Sequence, residues 1–389
     1  MKQTVIVIGS ADVIKLSLIR PIGELGCNVI SIRLIKANKR AGKPLDKFSK
    51  YVKNYYECKI EDLIKFLLDN CTGFSPKAVL FPIDDNSVYK IDESYSLLKD
   101  FFYIANVKQQ DNGIVQLMNK FKQKDLAQKA GLNVVKGWVI PFVNGHYEVP
   151  NDIVFPCFIK GLNSFISSKS VQQRCDNKEN LLKFLDGLRS KYPYPLLAEQ
   201  YIEIDRELGF MAFSDGEHNL IPSKVELLKM GEGTTHGVSM LGYITPLSVI
   251  DQQYKAIETF LKQLDYVGIC NFDFIESHGK LYFVELNFRY AAYGYGILKS
   301  GVNLPSIYIN RMNGLPISDI ETTMRKSIHY FNEKIGLLNV IERKITWKDY
   351  FSIKKKASCM MVASTKDPLP YFVFLIRFLY KYAKSRLKK

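Results

Sequence analysis

A doubly wound α/β unit followed by an α+β unit is the fold class predicted for this 389-residue chain. Three features predict it. The chain opens as strand–helix–strand, it later alternates short apolar strands with amphipathic helices, and residues 267–287 carry a hairpin signature. At this length two or three structural units are expected rather than one core.

The elements follow in order. TVIVIG (4–9) reads as a buried parallel strand, followed by a Gly-Ser turn, a helical stretch to Gly26 and a second strand, CNVISIRL (27–34). AVLFPIDD (78–85) is another buried strand, ending in a turn with two acids. The single Gly-Ser turn is not a GxGxxG fingerprint, so no dinucleotide site is predicted here. MNKFKQKDLAQKAGLNVV (118–135) is a helix closed by Gly131. FPCFIKG (155–161) and LLAEQYI (196–202) are strands flanking the amphipathic helix of 176–192. VGICNFDFIESHGKLYFVELN (267–287) is two strands joined by a tight Ser-His-Gly turn. The expected units are 1–115, 116–195, 196–325 and a basic extension over 326–389.

Composition narrows the classes. Hydrophobic content of 47% with 24% charged residues is that of a soluble globular protein. No run of about 18 apolar residues marks a membrane span, and the apolar run at the start is too short for a signal-peptide core. Seven scattered cysteines without CxxC spacing fit a reducing cytoplasm, and five scattered histidines give little support to a His/Cys metal cluster. The net charge of +15 is concentrated at the end. Residues 326–389 hold 15 Lys and Arg against 4 Asp and Glu, so the preceding 325 residues carry only +4. A nucleic-acid partner is therefore not expected.

The chemistry concentrates at the hairpin. Glu285, Asn287 and Arg289 alternate at period two, which puts them on one face of an extended segment. Closing the turn at 277–279 brings Asp273 opposite Glu285. Two carboxylates and an amide oxygen are the hard ligands that Mg²⁺ takes, and Arg289 is a fixed cation for a phosphate or a developing anion. Taken singly, each residue reads equally well as a solvated edge-strand position; the set is harder to read that way. Lys160 ends a buried strand and needs an anionic partner. Lys120 lies on a polar helix with Lys122, Lys124 and Lys129, where a solvated face is the simpler reading.

These motifs, in this order, resemble the ATP-grasp superfamily over about residues 116–315. ELNFR (285–289) matches a Glu-x-Asn-Pro-Arg type motif with Phe288 in place of Pro. The resemblance implies two α+β subdomains sandwiching ATP, behind the small α/β unit. It implies that Lys120 and Lys160 reach the phosphates and that Glu199, Gln200, Tyr201 and Ile202 line the adenine. Glu207 would bind the ribose, and Asp273, Glu285 and Asn287 would hold Mg²⁺. One stretch departs from the family pattern. Where a glycine-rich loop usually closes over the phosphates, this chain has GLNSFISSKSV (161–171), with Lys169 in it.

Among the branches, the carboxylate–amine ligases look closest, a group that includes the D-aspartate ligases and proteins like the carbamoyl-phosphate synthase large chain. The implied reaction joins a small carboxylate and an amine through an acyl phosphate, with Lys160 and Arg289 as the catalytic cations. The loop 224–238, with Lys224 and His236, reads as a substrate lid or an ordinary connection. A phosphotransferase and a non-catalytic nucleotide-binding module are the competing readings. After DPLP (367–370), Arg377, Lys381, Lys384 and Lys388 fall on one helical face and Phe372, Leu375, Leu379 and Tyr382 on another. This tail, 369–389, is expected either to hold a cytoplasmic enzyme at the inner membrane face or to dock on the body.

Overall fold

The computed structural model describes residues 2–35, 44–143, 146–166, 171–188, 191–192, 194–229, 239–317 and 322–387. Its first sheet contains β1 (Thr4–Ile8), β2 (Asn28–Ile35), β3 (Val52–Lys59), β4 (Ala78–Pro82) and β5 (Phe102–Tyr103). All are parallel, in the order β3-β2-β1-β4-β5. This is the doubly wound arrangement that the continuous apolar runs predict, because a parallel sheet is covered on both faces. The edge strand β3 was not among the expected strands; five of its eight residues face solvent, so it lacks an apolar run.

At the carboxyl ends of β1 and β4 the Gly-Ser turn meets the acidic turn. Gly9 has φ +142°, and a Cβ there would strike the Ile83 and Asp84 side chains. Asp84 accepts from the Ser10 backbone N–H at 2.8 Å and caps the helix Asp85–Asp92. The acidic turn is thereby fixed against the first strand, with Asp85 at its tip.

After β6 (Asn106–Val107) comes a second, antiparallel sheet. It contains β7 (Gly137–Ile140), β10 (Cys157–Gly161), β11 (Gln173–Cys175) and β12 (Leu196–Gln200), in the order β11-β10-β12-β7. A short hairpin, β8 (Phe142–Val143) and β9 (His146–Tyr147), stands apart. The largest sheet follows, built on β13 (Arg206–Asp215), β15 (Ser223–Lys229), β16 (Leu241–Pro246), β17 (Tyr266–Ser277) and β18 (Lys280–Asn287). β14 (Asn219–Leu220) pairs with β13, and β6 pairs with β17. β19 (Ile328–Phe331) and β20 (Cys359–Met360) extend it beyond β16, so residues of the basic extension contribute two strands to this sheet.

The two ends of the chain are tied together. Arg20, fully buried on the first helix, Asp12–Glu24, donates to the Met361 and Val362 carbonyls and to the Asp367 carboxylate at 3.2 Å. Asp367 also accepts from Ser49 and Lys50. The terminal helix, Leu369–Leu387, then lies on the body. Phe374 and Phe378 are buried, Tyr371, Leu375 and Tyr382 pack beside them, and Arg377 pairs with Asp12 at 3.1 Å. The face expected to hold Phe372, Leu375, Leu379 and Tyr382 together is therefore split. Leu375 and Tyr382 point inward, while Phe372 and Leu379 are exposed.

Candidate active site

The second and third sheets enclose a cavity lined by Lys120, Lys160, Glu199, Gln200, Tyr201, Ile202, Glu207, Asp273 and Glu285, together with Phe158, Leu208, Phe274 and Val284. Two lysines come from different elements for different reasons. Lys160 is the fourth residue of β10, buried with the strand. Lys120 begins the helix Lys120–Lys129, capped by Asn119, whose side chain accepts from the Lys122 N–H.

The solvated-face reading of this helix holds for Lys122 and Lys129 and fails for Lys120 and Lys124. Lys120, Gln123, Lys124 and Ala127 recur at the spacing of one helical face, and that face is inside. The Gln123 side chain donates to the Leu286 carbonyl at 2.9 Å and accepts from the Leu286 N–H at 2.8 Å, which fixes the helix against β18. It also donates to the Leu117 carbonyl. Substitution Gln123→Leu leaves these buried backbone groups unmatched. It should cost about 2–3 kcal/mol or more, seen as a lower midpoint in urea unfolding.

Glu199 organises the cations. Its carboxylate lies 2.6 Å from the Lys124 ammonium and 2.8 Å from that of Lys160. Burial alone would raise its pKa, but Lys160 and Lys124 outweigh burial and hold the group down at about 2. Lys124 is pulled down by burial and by the like charge of Lys160, against Glu199. The partner that a buried Lys160 requires is thus a protein carboxylate.

On the hairpin, Asp273 pairs directly with Glu285 and Asn271 with Asn287, with a register shift after Asp273. The Asn271 amide donates to Asp273 at 2.8 Å. The Asn287 amide nitrogen donates to Asp273 at 2.9 Å and to Glu285 at 3.3 Å. Its oxygen accepts from Arg289, so Asn287 links the acids to the guanidinium. Burial pushes Asp273 up to about 6, although the Asn271 bond and the charges of Arg289 and Lys120 work the other way. Glu285 is in direct contact with the Lys120 ammonium. Burial, then the charge of Lys160, lower Lys120 to about 7 against the attraction of Asp85, Glu199 and Asp273.

Arg289 stands just past the end of β18. Its Nε donates to Asp85 at 2.8 Å, joining the hairpin to the acidic turn of the first sheet. Burial lowers its pKa, but Asp85 and Asp273 raise it further, and the net direction is up.

At the end of β12 the Gln200 and Tyr201 N–H groups donate to the Lys136 and Pro156 carbonyls, so both of these donors are already used inside the protein. Arg174 covers the Tyr201 ring at 4.3 Å. The serine-rich stretch is pinned at its start, where Ser164 N–H donates to the Met118 carbonyl and Phe165 stacks on Tyr89 at 4.5 Å. Lys169 and His236 lie outside the described residues; Lys224 is on β15.

The fold as a whole matches known structures. An N5-carboxyaminoimidazole ribonucleotide synthetase in complex with ADP superposes with a TM-score of 0.64 at 15% identity, covering 88% of this chain and 85% of that one. The chain has an ATP-grasp fold. Biotin carboxylase from Campylobacter jejuni shares the fold at a TM-score of 0.62 and 15% identity, over 84% of this chain and 74% of that one. So does an L-amino acid ligase from Bacillus licheniformis, at 0.60 and 12%, over 84% and 79%. By sequence, the carbamoyl phosphate synthase large chain of Clostridium beijerinckii is 28% identical over 207 residues, which is 52% of this chain and 18% of that protein. No protein-family model matches the chain.

Four residues that brace the site through Leu286, Glu199, Arg289 and Asp273 were not singled out by sequence reasoning: Gln123, Lys124, Asp85 and Asn271. The first two had a signal in the 120, 123, 124, 127 spacing, which a polar composition obscures.

Proposed function

We propose that this protein is an ATP-dependent, ADP-forming carboxylate–amine ligase that makes an amide bond through an acyl phosphate. The observation that carries the reading is the convergence of Lys120 and Lys160 with the cross-strand pair Asp273 and Glu285 in one cavity. Nucleotide and Mg²⁺ fit its donor chemistry. Asp273 is a buried acid held by amides, and Glu285 already attracts the Lys120 ammonium, so the pair offers a divalent ion facing carboxylate oxygens. Asp273 and Glu285 would hold it, joined by the Asn287 oxygen once that amide turns over. When bound, Mg²⁺ would neutralise charge on the phosphate oxygens during transfer.

The remaining work falls to the chain. Lys120 and Lys160 hold phosphate oxygens, and Glu199 keeps the Lys160 ammonium in place. Ile202 and its neighbours border the base, and Glu207 faces the ribose hydroxyls. A substrate carboxylate oxygen attacks the γ-phosphorus and ADP leaves. The amine nitrogen then attacks the acyl carbon, loses a proton, and phosphate departs. Arg289, oriented by Asp85 and Asn287, stabilises the tetrahedral oxyanion. No protein nucleophile is required; position and charge suffice. Amino acids, D-aspartate among them, are the substrates to screen first.

The test is Mg²⁺-dependent ADP release across a panel of acids and amines, with hydroxylamine as trap. A hydroxamate should form from the acid that stimulates release. Phosphorylated acid released without any amine requirement would identify a phosphotransferase and overturn the ligase reading. Arg289→Lys keeps a charge opposite Asp85 and loses the planar fork; it should lower hydroxamate formation by about 10²- to 10³-fold.

A further inference from the structure

The terminal helix has two apolar faces, and the fold covers only one. Opposite buried Phe374 and Phe378, the residues Leu369, Phe372, Ile376, Leu379 and Tyr380 are 52–69% exposed. Their spacing of three or four residues forms one stripe. The helix Trp347–Lys355 packs on the covered side, where Trp347 touches Phe378 and Tyr382. Among the described residues 18 large hydrophobic side chains are exposed, and five of them lie on this one stripe. This is a concentrated patch, not scattered surface apolarity.

The charge around the patch selects its partner. Residues 368–389 contain six Lys and Arg and no acid, and Lys381 and Lys384 are exposed. We propose that this face is a docking surface for an anionic lipid bilayer, with the terminal helix lying in the interface plane. A second copy of the chain would set exposed lysines against exposed lysines, whereas an anionic bilayer accepts both the apolar stripe and the cations. No helix among the described residues is long and apolar enough to cross a membrane. Docking on the body and binding to lipid, alternatives for an isolated tail, here use opposite faces of one helix.

Co-sedimentation of the full chain with phosphatidylglycerol vesicles and with phosphatidylcholine vesicles at low salt tests this. Both Ile376→Gln/Leu379→Gln and Lys381→Gln/Lys384→Gln change only exposed positions, and thermal melts verify their folding. The parent should sediment with phosphatidylglycerol and not with phosphatidylcholine. Each lysine adds about fivefold in affinity, so the lysine variant should bind about 25-fold more weakly. The apolar variant should lose at least about tenfold. A parent that stays in the supernatant with phosphatidylglycerol overturns the proposal, as does an apolar variant that binds like the parent. A parent dimer that the apolar variant dissociates, without vesicle binding, would assign the face to a second copy instead.

Discussion

Replacing Glu285 by Ala should reduce Mg²⁺-dependent ADP release by about 10³-fold or more while leaving the protein folded. A metal that polarises a phosphoryl oxygen supplies several kcal/mol of transition-state stabilisation, and each 1.36 kcal/mol is a factor of ten. The variant removes one of the two carboxylates facing each other across β17 and β18. It also strips Lys120 of its direct partner. Burial already lowers that lysine to about 7, so it can shed its proton in the variant and avoid a stranded buried charge. Circular dichroism should therefore show a native spectrum beside the lost turnover. Full activity in Glu285→Ala would remove the pair from the catalytic site.

The second large effect is on stability. Glu199→Gln leaves Lys124 and Lys160 buried beside an amide, and breaking a buried charge network of this kind costs about 3–5 kcal/mol. The pH dependence follows from the depressed pKa of Glu199. Its folded value of about 2 lies below the 4.5 of an unperturbed glutamate. Its contribution is thus complete above pH 4.5 and is lost as pH falls toward 2. Wild type and variant should converge in urea stability on acidification through that window. At neutral pH, saturating ATP should narrow the gap, because phosphate oxygens replace the missing carboxylate. A variant as stable as the parent at pH 7 would show that the lysines find other partners.

What the sequence disclosed depended on how far apart the partners lie. The alternation of Glu285, Asn287 and Arg289, and the tight turn that sets Asp273 opposite Glu285, are local patterns within 17 residues, and they were legible. The continuous apolar runs of β1 and β4 made the parallel sheet legible in the same way. Lys124 lies on a helix and Glu199 on a strand of the second sheet, and nothing in a polar helix announces that one lysine finds a distant acid. Asp85 and Arg289 are separated by 204 positions. The terminal helix illustrates another limit. An apolar stripe can be read from spacing, but which of two stripes meets the body depends on the surface it meets.

The Arg20–Asp367 contact sets a condition on how the protein is made. The guanidinium is buried at the first helix, and the acid that neutralises it is 347 positions later. At a synthesis rate of ~5–20 residues per second, roughly 20–70 s separate the two on the ribosome. During that interval the first sheet can pair its strands, yet the cation must stay hydrated, because burial without its carboxylate is prohibitive. The amino-terminal unit therefore completes its core only after residue 367 has emerged. Its maturation is governed by translation of the segment that carries Asp367.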